Sequence, residues 1–108
     1  MNGYQLTLYT QQNRRHEGKM LADWIVSLAM EMGLRGATLV SGIEGFGHTR
    51  QFHSHHFFEM ADQPMLIVMA LTEAECDALL QRLELAGLTL FYVKVAAEFG
   101  VLGAPVDA

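Results

Sequence analysis

The apolar positions of this chain change period at marked points, and each change predicts an element. Tyr4-Gln5-Leu6-Thr7-Leu8-Tyr9-Thr10 alternates with period two and is rich in β-favouring residues, which predicts a first strand. Gln11 to Arg15 is a polar connection. From about Glu17 the apolar positions become Met20, Leu21, Trp24, Ile25, Leu28 and Met32, one face of a helix that Gly33 ends. Leu34 is placed for the hydrophobic contact that accompanies a glycine C-cap. Ala37 to Ile43 resumes a strand pattern, His55 to Met60 is a candidate hairpin arm, and Asp62-Gln63-Pro64 marks a turn. Met65 to Leu71 is continuously apolar, as in a strand covered on both faces. Thr72 and Glu75 have capping-box spacing, opening a helix that runs to about Ala86, buries Cys76, Leu79, Leu80 and Leu83, and closes at Gly87. Leu88 to Val95 is the expected last strand, followed by a tail with Gly100, Gly103 and Pro105.

The order βαβ, then βαβ, implies an α+β, ferredoxin-like fold: a four-stranded antiparallel sheet with two helices on one face and the other face bare. Both faces, however, are apolar. Leu66, Val68 and Ala70 oppose Met65, Ile67, Met69 and Leu71, while Leu90 and Tyr92 oppose Phe91, Val93 and Val95. A bare face of that composition is a patch that monomers avoid, so the pattern predicts sheet-to-sheet oligomerisation. Burying on the order of hundreds of Å² per chain at roughly 25 cal/mol per Å² contributes many kcal/mol.

Composition narrows the setting. At 108 residues the chain fits one domain, with a core over about 4–96 and a tail over 97–108. A hydrophobic share of 51% with two prolines predicts an ordered globule. The Pro64–Leu71 stretch is far short of a membrane span, and Met1–Thr10 lacks the layout of a signal peptide, so no membrane insertion is expected. One cysteine cannot form an internal disulfide, which fits a reducing cytoplasm. A net charge of -5, from 7 basic and 12 acidic residues, speaks against nucleic acid as a partner. The five histidines allow a weak pH response below about pH 6.5.

The run Ser41-Gly42-Ile43-Glu44-Gly45-Phe46-Gly47 leads into a His-rich segment and is the strongest candidate for a ligand loop. Its glycines let backbone approach a bound group closely, and its amides could cradle an anion with charge from Arg14, Arg15, Lys19 or Arg50. A bulged strand end followed by a solvated hairpin explains the same glycines. The run is neither a Walker loop nor a dinucleotide fingerprint. Glu44 would repel a phosphate unless it faces a ribose, a metal or a neighbouring subunit's arginine. His53 and His55 share one face of a strand and are the candidate metal ligands, whereas His56 points to the other face. A complete metal site would need Glu44, His48, Glu59 or a second subunit. His16 either hydrogen-bonds locally or faces an intersubunit cleft. Trp24 reads as core and Cys76 as a buried small hydrophobe. No nucleophile elbow, paired carboxylates or histidine-activated serine is present in recognisable spacing, so no catalytic residue is named.

The residues GIEGFG at 42–47, HEGKML at 16–21 and the βαββαβ order together resemble the PII-like family catalogued as domain of unknown function 190, over about Tyr4 to Val95. The resemblance implies a homotrimer of ferredoxin-like subunits packed through their sheets. It also implies a small-molecule effector such as an adenine nucleotide in the clefts between subunits. A protein partner, a transporter or an enzyme, would be contacted by the loop after the second strand. His16, Lys19, Gly42, Glu44, Gly45, Phe46, Gly47 and Arg50 are then the expected ligand-binding residues. Two departures stand out: Gly87 leads straight into Leu88-Thr89-Leu90, without the basic phosphate loop of classical PII proteins, and the segment from His48 to Asp62 is short and has no tyrosine to modify. The alternative is a copper- or zinc-binding trimer that uses the loop histidines.

Overall fold

The computed structural model describes residues 1–41, 44–46, 52–54 and 63–103, with 44–46 and 52–54 described by backbone alone. The elements run β1 (Asn2–Gln11), β2 (Arg15–His16), β3 (Lys19–Met20), α1 (Leu21–Glu31), β4 (Thr38–Ser41), β5 (Glu44–Phe46), β6 (Phe52–Ser54), β7 (Pro64–Thr72), α2 (Glu73–Leu85) and β8 (Phe91–Glu98). Four of the strands form one antiparallel sheet in the order β4-β7-β1-β8, the ferredoxin-like arrangement expected.

Strand register divides the side chains cleanly between two faces. Leu6 pairs with Met69 and Leu8 with Ile67, and all four are buried in one cluster with Leu21, Ile25 and Leu28 of α1 and Cys76, Leu79 and Leu83 of α2. Both helices therefore lie on the same face. The opposite face carries Tyr9, Leu66, Val68, Phe91, Val93, Val95 and Val40 by alternation along paired strands. Phe91 is 48% exposed and Val95 57%, and Tyr9 meets Phe91 edge-on at 5.3 Å between ring centroids. Gly3 is required where β1 passes β7, because a Cβ there would overlap the Leu71 carbonyl oxygen.

Both glycine caps are present with full Schellman geometry. Gly33, at φ 74°, donates from its N–H to the Met30 carbonyl at 3.0 Å, and Leu34 N–H reaches Ala29 O at 3.0 Å. Gly87, at φ 77°, donates to Glu84 O at 2.9 Å, and Leu88 N–H to Leu83 O at 3.3 Å. Leu88 is thus part of the α2 cap and the last strand begins only at Phe91, later than the alternation predicts. Helix α1 also starts later than expected, at Leu21 rather than Glu17. The cause is a two-residue turn: Glu17 (φ 51°) and Gly18 (φ 82°) are both left-handed, which suits a tight hairpin between β2 and β3 and forbids a helix there. The hairpin arm of the long loop is Phe52–Ser54, paired with Glu44–Phe46, whereas His55–Met60 lie outside the described residues.

The capping box of α2 is closed in both directions. Glu75 N–H donates to Thr72 Oγ1 at 3.3 Å and Thr72 N–H to Glu75 Oε1 at 2.8 Å, while the Arg35 guanidinium donates to the same oxygen at 2.6 Å. The Thr72 amide above all, with Arg35 adding to it against the cost of desolvation, holds the Glu75 carboxyl below its ordinary value of 4.5. A depressed folded value means that the stability Glu75 contributes is complete above about pH 4.5 and is lost as pH falls through the lower folded value. Thr72→Ala is expected to cost about 1 kcal/mol in urea unfolding at pH 7. Glu75→Gln is expected to flatten the acid limb of the stability profile, and an unchanged limb would overturn the assignment.

Candidate functional site

One end of the sheet carries both the entry to the glycine-rich run and the end of β1. Ser41, Met65 and Thr10 stand side by side across β4, β7 and β1, so the chain enters the glycine-rich run two strand spacings, roughly 10 Å, from Thr10. Beyond β1 the ladder continues for one more bond, from Gln12 N–H to Gln63 O at 2.9 Å. The chain then turns through Arg14, whose carbonyl accepts from Leu21 N–H at 2.7 Å, and this bond seats the β2–β3 hairpin against the start of α1.

His16 lies in that hairpin and Lys19 pairs with it across the turn. The His16 ring meets Trp24 of α1 edge-on, with centroids 4.5 Å apart. Trp24 Nε1–H donates to Glu17 Oε1 at 3.3 Å, so the tryptophan is partly core and partly a wall beside the hairpin. His16 Nε2 stands 3.7 Å from Glu17 Oε2, too far for a hydrogen bond, and has no hydrogen-bond partner although the atom is buried. Thr10 Oγ1 and Gln12 Oε1 are in the same condition. Arg15 is partly spent within the hairpin, donating to Gly18 O at 2.8 Å, while Lys19 is exposed.

Of the loop residues, Glu44, Gly45 and Phe46 form β5, opposite Ser54, His53 and Phe52 of β6. Gly42, Gly47, Arg50 and His55 lie outside the described residues. Among the described residues no three His, Cys, Asp or Glu side chains come together as a metal site. Cys76 is buried and unpaired, and burial pushes its thiol up, as for a small core residue. Gly87, which in classical PII proteins would precede a phosphate loop, is committed to capping α2. Sequence reasoning missed Thr10 and Gln12. The available signal was the parity of β1, where Leu6 and Leu8 are followed on the buried face by a threonine.

Residues 3–91 match the family described as DUF190: Uncharacterized ACR. A UPF0166 protein of Aquifex aeolicus (strain VF5) is 30% identical over 70 residues, covering 65% of this chain and 67% of that protein. Among solved structures, CPII of Thiomonas intermedia K12 bound to ADP and bicarbonate is similar with a TM-score of 0.61 and 18% identity, over 90% of this chain and 89% of that one. The same protein, described as a nitrogen regulatory PII-like protein bound to ADP, AMP and bicarbonate, is similar with a TM-score of 0.61 and 17% identity. At these identities the structural likeness carries the fold, the PII-like βαββαβ sheet already described. No helix among the described residues is long and apolar enough to cross a membrane. With its fold matched and most of its length covered by the family, this chain belongs to DUF190.

Proposed function

We propose that the chain is a cytoplasmic PII-like regulatory protein, a trimer packed through its open sheet faces. It binds a small anionic effector, an adenine nucleotide, in the clefts between subunits, and signals to a protein partner through the loop that follows β4. The observation that carries this reading is the apolar open face, where Phe91, Val93, Val95 and Val40 are exposed and Leu66 and Val68 half-buried among the described residues. Burying such a face between copies brings the loop bases and β2–β3 hairpins of neighbouring subunits together at one end of the assembly. His16, Lys19, Gly42, Glu44, Gly45, Phe46, Gly47 and Arg50 would line the cleft there. CPII, which shares the fold, has been solved with ADP and with AMP, which supports the choice of effector. The role is binding and relay, with no chemical step on the effector.

Thermal melts with AMP, ADP, ATP and cyclic nucleotides test the effector. A ligand at about 100 times its dissociation constant stabilises by roughly 2.7 kcal/mol, which for a domain of this size raises Tm by roughly 10 °C or more. At least one adenine nucleotide is expected to do so, and no shift with any of them at millimolar concentration would remove the nucleotide from the proposal.

A further inference from the structure

We infer that Thr10, Gln12 and His16 form the inner, neutral end of the effector site and hydrogen-bond the base or sugar of the nucleotide, leaving its phosphate outside. This rests on the effector site proposed above and specifies how that site is polarised. Three side-chain atoms at one end of the sheet, Thr10 Oγ1, Gln12 Oε1 and His16 Nε2, are buried without a hydrogen-bond partner. Thr10 is only 8% exposed. Buried polar atoms are nearly always paired, so three unspent ones within seven residues point to a ligand that supplies the partners.

The three follow one another from the end of β1 into the β2–β3 hairpin. Alternation places Thr10 on the helix-covered face with Leu6 and Leu8. Gln12 lies two residues on, just past the end of β1, its N–H still bonded to Gln63 O. His16 reaches that side because its ring packs on Trp24 of α1. The same row leads through Met65 to Ser41, where the glycine-rich run begins.

The atoms also select the chemistry. A glutamine Oε1 can only accept, a hydroxyl can do either, and an imidazole nitrogen does either according to tautomer. A phosphate anion offers acceptors and would be repelled by Gln12 Oε1. A group that carries both donors and acceptors, as a purine edge or a ribose does, can satisfy all three. Arg15 and Lys19 are exposed along the β2–β3 hairpin, available to the anionic end.

Calorimetric titration of the full chain, or fluorescence of its single tryptophan Trp24, tests this with adenosine, ADP and inorganic pyrophosphate against Thr10→Val and Gln12→Met. Each variant is expected to weaken adenosine and ADP by about tenfold while leaving pyrophosphate unchanged. Thr10→Ser, which keeps the hydroxyl, is expected to restore adenosine binding. Thr10→Val is expected to melt no lower than the parent, because an unpartnered hydroxyl is being replaced by a group of the same shape. Weaker binding of 2′-deoxyadenosine would assign the cluster to the sugar, and weaker binding of purine riboside to the base; either supports the inference. Wild-type ADP affinity in both variants overturns the inference and leaves the nucleotide proposal standing. Failure of the parent protein to bind any adenine compound removes both.

Discussion

Val93→Glu is expected to turn the assembled protein into monomers without unfolding it. Val93 lies near the middle of the open face, paired with Thr7, whose other neighbour is Val68, and 38% of it is exposed in the single chain. In a sheet-packed assembly the new carboxylate has no partner. Burying an unpaired charge costs several kcal/mol per copy, and symmetry brings like charges from neighbouring subunits toward one another. A loss of that size weakens association by a factor on the order of a thousand or more. The side chain points away from the helices, so the core is untouched and far-UV circular dichroism is expected to keep its parent form. Sedimentation velocity at micromolar concentration reads the outcome. A parent that is already monomeric, or a variant that keeps the parent's mass, would show that the open face is covered by something other than a second copy.

Leu8→Ala, one residue along β1 from Thr7 and on the opposite face, is expected to fail in the other way. Leu8 is fully buried between Ile67 and Tyr92 in the ladder and packs in the cluster that joins both helices to the sheet. Truncating a leucine at such a site costs about 2–5 kcal/mol, from lost transfer energy and from the cavity left behind. For a domain of this length that lowers Tm by on the order of 10–20 °C, with the denaturant midpoint falling at nearly constant slope. A loss below about 1 kcal/mol would mean that the two helices do not close over β1 as described. The two substitutions sit on adjacent strands of one sheet, yet one is expected to separate subunits and the other to unfold them. Register parity alone makes the difference.

Much of the candidate site follows the same division between local and distant causes. The glycine-rich run stands out by its three glycines ahead of a His-rich segment. Its backbone at Glu44–Phe46 does pair in a hairpin. The arm opposite it is Phe52–Ser54, while the expected arm His55–Met60 lies outside the described residues. The helical pattern from about Glu17 takes in Lys19, but Glu17 and Gly18 close a two-residue turn that pairs His16 with Lys19. Propensity alone favours helix across that stretch, and the left-handed pair overrides it.

β1, the apolar run of β7, both glycine caps, the Thr72–Glu75 box and the apolar character of both sheet faces are legible in the residues alone. Each is written in residues no more than a turn or a strand apart, where period and capping chemistry act directly. Only the tertiary structure decided that Arg35, 40 residues from Glu75, joins the capping box. It alone left Thr10 Oγ1, Gln12 Oε1 and His16 Nε2 buried without a hydrogen-bond partner. Such meetings depend on how strands align and helices pack across the whole sheet, and no local pattern of residues carries that alignment.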